Sequence, residues 1–133
     1  MTLDLLAGSY AICRLSADTP VPSWASRAAF SSTTRTSNEL SIVCASEDVP
    51  PDVQAQRGYR GLVVRGPLDF NLVGILASLA GPLAAASVSV FAVSTFDTDY
   101  LFVRESDLHR AIAALRNSGH IVVGGLYPQN EDG

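Results

Sequence analysis

The sequence predicts an α+β fold of two subdomains, residues 1–59 and 60–126, each built on a βαββαβ order with antiparallel sheets and helices on one face. Three observations lead there. Short strand-like alternations recur along the whole chain of 133 residues. Two segments of the second half carry apolar residues at helical spacing. Between them, only a few residues separate two strand-like runs around Ser94–Tyr100, which forces an antiparallel pair.

The elements follow in order. Tyr10–Leu15 alternates, with Tyr10, Ile12 and Arg14 on one face and Ala11, Cys13 and Leu15 on the other. Pro20 and Pro22 break the chain before Ser23, which suits the N-cap of a short helical turn holding Trp24 as a core or interface anchor. Phe30–Thr36 is rich in β-branched and hydroxyl residues and reads as a strand or sheet edge. Ser37-Asn38 reads as a turn. Glu39–Ala45 follows as a strand with Leu40, Ile42 and Cys44 to one side, so that the two runs form a hairpin. After the polar stretch from Glu47 to Arg57, with one helical turn from Asp52, Tyr59–Arg65 is a further strand. The order is that of a ferredoxin-like unit with degraded helices.

The second half is cleaner. Asp69 or Asn71 is suited to cap a helix beginning near Leu72. Leu72, Ile75, Leu76, Leu79, Ala80 and Leu83 make one apolar stripe, and Pro82 should bend or end the regular helix. Ser87–Thr95 and Tyr100–Val103 are the paired strands. Ser106 caps a second helix with Leu108, Ala111, Ile112 and Leu115 as its stripe, and Gly119 is placed to close it. His120–Gly124 is the last strand, and residues 127–133 are a flexible tail.

Composition narrows the function. With 47% hydrophobic and 17% charged residues the chain is a well-buried globular protein. A net charge of −4 and nine scattered basic residues, all arginine, argue against a nucleic-acid partner. The first fifteen residues lack a positive leader and carry Asp4, which argues against a signal peptide. The apolar run from Leu72 to Val93 is interrupted by Gly74, Gly81, Pro82 and serines, so it reads as helix then strand and not as a membrane span. Cys13 and Cys44, in strand-like runs with no export signal, are expected as reduced, buried thiols in a cytoplasmic protein. No metal or cofactor is expected. His109 and His120 have no companion ligand. Leu101 and Phe102 where further ligands and the turn glycine should be, with Leu108 in place of the closing glutamate, argue against a calcium loop. No Gly-x-Ser-x-Gly turn exposes a nucleophile, so catalysis is not expected.

What remains is binding. A helix start at Gly74 offers backbone N–H donors to an anion, and Asp97 and Asp99 on the strand crossing offer carboxylates to a cation. A small zwitterion, such as a free amino acid, satisfies both. The same residues also admit plainer roles: Asp97 and Asp99 as solvated turn residues, Gly74 as a small residue for close packing, Ser41 as the polar side of a strand.

Gly66-Pro67-Leu68-Asp69-Phe70, Gly74-Ile75-Leu76-Ala77 and Pro82-Leu83-Ala84, with Val88-Ser89-Val90-Phe91-Ala92-Val93-Ser94-Thr95-Phe96-Asp97-Thr98-Asp99-Tyr100, resemble the strands and first helix of an ACT domain. The resemblance is to the branch of small bacterial two-ACT proteins and the arginine sensors of the CASTOR type, and Thr36–Val43 extends it towards the N-terminus. It implies a regulatory amino-acid sensor and no enzyme, with the ligand held between ACT units. By this resemblance Ser41, Ile42 and Val43 contribute from one unit. Gly74 and Ile75 present N–H groups to a carboxylate, Thr95 and Phe96 give backbone contacts beside Asp97, and Asp99 takes a cationic group. The helix after Gly74 offers Ala77 and Ser78 but no acid, a departure that counts against arginine. A homodimer, paired at exposed sheet edges, and a regulated protein partner of unknown identity complete the expectation. The alternative is a structural ACT module that assembles without a ligand.

Overall fold

The computed structural model describes residues 1–69 and 71–124, and the tail expected at 127–133 lies outside them. The described residues pack as two compact units, Gly8–Tyr59 and Met1–Ala7 with Arg60 onward. The first seven residues thus go with the second unit, where the sequence reading groups them with residues 8–59.

In the unit Gly8–Tyr59, β2 (Tyr10–Leu15), β3 (Ser32–Arg35), β4 (Leu40–Ala45) and the beginning of β5 (Ala55–Val64) lie in the order β3-β4-β2-β5. All neighbours are antiparallel, with Cys13 opposite Ile42 and Thr33 opposite Ile42 on the other side. Ala11 and Cys13 from β2 meet Leu40, Ile42 and Cys44 from β4, with Ala25 and Val49 over them. These are the faces the alternation predicts. Trp24 is partly buried against this core. The connections hold no α-helix, only 3₁₀ turns at Ser23–Ser26 and Ser46–Asp48. Pro22, not Ser23, occupies the first cap, and the turn expected from Asp52 forms earlier, at Ser46. Arg57 holds that second turn by donating to the carbonyls of Ser46, Val49 and Pro50. Cys13 and Cys44 are buried free thiols, and the hydrogen bond to the Cys13 sulfur, together with burial, pushes the Cys44 thiol up, so it stays protonated.

The other unit contains β1 (Thr2–Leu5), the end of β5, α1 (Ile75–Ala85), β6 (Phe91–Ser94), β7 (Asp99–Arg104), α2 (Leu108–Asn117) and β8 (Ile121–Val123). From β5 onward the order is the expected βαββαβ. The strands lie in the order β8-β1-β5-β7-β6. β1 therefore separates the first and last strands of the motif, antiparallel to β5 and parallel to β8. That parallel pair departs from the all-antiparallel expectation. Leu3, opposite both Val64 and Val122, is fully buried with Leu62, Leu101 and Val103 under the two helices. Asp4 points away from that core to a two-pronged ion pair with Arg65, which holds its carboxyl below the usual range. Gly61 on β5 allows a close approach: a Cβ there would lie 2.8 Å from both Leu6 and the Phe102 ring.

The helices show where local signals fall short. All four residues of the expected α2 stripe are buried, and Gly119, at φ 94°, closes the helix. Ser106 is not the cap; a 3₁₀ turn at Glu105–Asp107 leads in instead. α1 starts at Ile75, later than expected, because Asp69 bonds the Asn71 N–H and closes a local turn ahead of the helix. Of its stripe, Leu79 and Leu83 are buried while Leu72 and Leu76 are exposed. Nor does Pro82 end the helix, which runs on to Ala85. Proline leaves the carbonyl four residues earlier without its N–H, and His120 Nε2 donates to that Ser78 carbonyl at 3.1 Å. Ser87, at φ 61°, then closes α1 in a position glycine usually fills, with Ser87 N–H on Ala84 O and Val88 N–H on Leu83 O. The strand expected from Ser87 is consequently confined to Phe91–Ser94.

Candidate functional site

Three segments of the second unit converge on one cavity of about 290 Å³. The segment leaving β5 supplies Leu68, Asp69 and Leu72, the start of α1 supplies Gly74, Ile75 and Leu76, and the β6–β7 crossing supplies residues 94–99.

Hydrogen bonds fix the crossing. Thr95 N–H donates to Thr98 O at 2.8 Å, and Thr98 N–H returns to Thr95 Oγ1 at 3.2 Å. The Thr98 hydroxyl donates to Val64 O at 2.6 Å, and Leu68 N–H donates to Asp97 O at 2.8 Å. The crossing is thereby tied to the end of β5 and to the segment entering α1. Ser94 and Asp99 face one another across the strand pair, and the serine hydroxyl donates to Asp99 Oδ1 at 2.6 Å. This leaves the second oxygen of a half-buried carboxylate for other partners.

The helix start has the complementary character. Gly74 adopts φ 78° at the N-cap and no side chain caps the helix. Ser78 N–H is bonded to Gly74 O, so the N–H groups of Ile75, Leu76 and Ala77 have no partner within the helix. Together with the helix dipole they favour a negative group. Asp69, Asp97 and Asp99 line the same cavity, with no arginine or histidine among its lining residues. An anion-accepting helix end and an excess of carboxylate therefore share one small space. Exposed Val73 and Phe96 add apolar surface on the same segments.

Of the residues the sequence singles out, Gly74, Ile75, Thr95, Phe96, Asp97 and Asp99 line this cavity. Ser41, Ile42 and Val43 lie on β4 of the other unit. Ile42 and Val43 are buried, and all three are paired with β2 on one side and β3 on the other. Their backbone groups are thus engaged in the sheet, and Ser41 alone has a partly exposed side chain. Sequence reasoning missed Leu68, Leu72, Leu76, Ser94 and Thr98 as lining residues and took Asp69 for a helix cap. The Asp-x-Asn spacing at 69–71, which favours a local side-chain turn, is the signal that separates Asp69 from the helix. Among the described residues no group of three or more histidines, cysteines or carboxylates is placed to hold a metal ion, and no helix is long and apolar enough to cross a membrane.

Comparison with known proteins gives a consistent picture. Residues 54–117 match the family profile described as ACT domain, and residues 8–52 match a profile described as an N-terminal domain. The human cytosolic arginine sensor for mTORC1 subunit 1 is 44% identical over 50 residues, which are 38% of this chain and 15% of that protein. The chain thus spans a small part of the curated relatives it matches. The crystal structure of protein Atu0741 from Agrobacterium tumefaciens is similar over nearly its full length: 41% identity, a TM-score of 0.88, and coverage of 95% of this chain and 94% of that one. An aspartate kinase from Synechocystis, 15% identical, shares the fold with a TM-score of 0.65 over 95% of this chain and 28% of its own.

Proposed function

Residues 54–117 form an ACT domain, and on that premise we propose that the chain is a regulatory sensor of a free amino acid with a cationic side chain. The observation that carries this is the pairing, in one cavity of about 290 Å³, of an uncapped helix start with three carboxylates and no basic residue. The volume lies at the low end for small-molecule sites. The ligand carboxylate accepts N–H bonds from the start of α1, at Gly74 and Ile75. The Thr95-Phe96 backbone flanks it, and the ammonium and the side-chain cation are shared among Asp99, Asp97 and Asp69. One carboxylate suffices for the ammonium, so two remain for a charged side chain, and Asp69 supplies the acid that the helix after Gly74 lacks. The similarity to a protein named an arginine sensor is in line with this. Regulation requires the ligand to bind one of two protein states more tightly, with dimerisation or a protein partner as the readout.

A thermal-shift screen of the purified protein against the twenty amino acids tests the reading. Ligand at a hundred times its dissociation constant adds about 2.7 kcal/mol, several degrees for a domain of this size. Arginine or lysine should shift the midpoint, and Asp99→Asn should abolish that shift while keeping its own cooperative melting. A flat response to every amino acid would overturn the sensor. It would favour the second reading, a structural assembly module, for which the observation is β6: among the described residues it pairs with β7 alone, and it is largely exposed.

A further inference from the structure

A second cavity, of about 390 Å³, opens beside the first, and Thr95, Asp97 and Thr98 line both. Its chemistry is different. Arg65 stands in it with Nε and Nη2 held by the Asp4 carboxylate at 3.0 and 2.5 Å. That two-pronged bond fixes the guanidinium plane, and Nη1 has no partner among the described residues. The Asp97 carboxylate likewise has none; only its backbone carbonyl is engaged, by Leu68. A pinned cationic donor and an unengaged carboxylate thus line one small space, with Val63, Pro67 and Tyr100 as largely apolar walls. The first cavity, by contrast, is lined by carboxylates without a base.

We propose that this second cavity is a separate site for a neutral amino acid, held by its carboxylate on Arg65 and its ammonium on Asp97, and that the two cavities compete for Asp97. The apolar walls select an aliphatic or aromatic side chain, since the other carboxylate there, Asp4, has both oxygens engaged by Arg65. The site stands on its own residues; only the antagonism rests on the cationic ligand proposed for the first cavity. Because linkage is reciprocal, each ligand then weakens the other by the same factor.

Amide NMR titration of the whole chain with millimolar L-phenylalanine and L-leucine, alone and with L-arginine, tests it. We expect saturable shifts at Asp4 and at residues 63–66, retained in Asp99→Asn and weakened at least about tenfold in Arg65→Gln, the loss of one charge-assisted hydrogen bond. Arg65 is exposed, so this variant should fold; Asp97→Asn, whose side chain has no hydrogen-bond partner among the described residues, is a second variant and should weaken both ligands. Arginine should raise the apparent dissociation constant of the neutral amino acid about fivefold or more. No saturable shift with either neutral probe, or shifts that Arg65→Gln leaves unchanged, would overturn the second site. Neutral binding indifferent to saturating arginine would overturn the competition. Shifts at residues 63–66 without any arginine response at residues 74–78 would strike the first cavity's assignment alone.

Discussion

At the scale of single residues, the arginines show how this chain uses charge. Arg14, Arg35, Arg57, Arg60, Arg110 and Arg116 donate to backbone carbonyls. In place of a basic surface they form a set of clamps on turns and helix ends, a task for which the guanidinium fork suits better than an ammonium. Composition argues against a nucleic-acid partner, but the carbonyls that these side chains serve follow only from the fold. Ser87 is a residue at odds with its backbone. A left-handed conformation costs a residue with a Cβ about 1–2 kcal/mol, and Ser87 pays it to close α1. Ser87→Gly should therefore raise stability by about 1 kcal/mol, read as a higher denaturation midpoint; an unchanged or lower midpoint would mean that the serine side chain makes a compensating contact. At Asp99, by contrast, the hydrogen bond from Ser94 orients a carboxylate at the cavity, which is why Asp99→Asn is the sharpest probe of ligand binding.

At the scale of elements, α1 is the instructive case. Its periodicity and its proline were legible, but the helix neither starts near Leu72 nor ends at Pro82. The helix begins after Gly74 because Asp69 spends its side chain on a turn of its own, and it passes Pro82 because His120 supplies the missing donor. That donor arrives from the far end of the unit, so no local window contains it. His120→Ala should cost about 1 kcal/mol, the net worth of one hydrogen bond. It should speed amide exchange in Leu83–Ala85 more than in α2, and equal protection in both helices would refute this account. α2 has no such dependence: its stripe and its closing glycine are local, and both lie where periodicity and cap chemistry place them. The exposed residues of the α1 stripe, Leu72 and Leu76, line the candidate site instead of the core. An apolar pattern signals burial in general and does not distinguish a core from a ligand cavity.

At the scale of the whole molecule, β1 changes the organisation of the chain. Thr2–Leu5 offers two alternating leucines, too little to announce a strand, yet Leu3 is fully buried at the centre of the second unit. Leu3→Ala should cost about 2–5 kcal/mol, as for other buried leucines, and should do so by unfolding the unit that joins Met1–Ala7 to Arg60 onward. A cost below about 1 kcal/mol would show that β1 is peripheral, since surface changes fall in that range.

The sequence by itself determined the α+β class, the βαββαβ order from β5 onward, the hairpins, the buried faces of β2 and β4 and the stripe of α2. Each rests on interactions between near neighbours: alternation, helical spacing, turn chemistry. Tertiary structure alone decided the insertion of β1 between β5 and β8, the survival of α1 past Pro82, the entry of Asp69 into the cavity and the pinning of Arg65 by Asp4. Each of these depends on a partner distant in sequence, and hydrogen bonds and apolar burial are set by proximity in space, which local pattern does not encode.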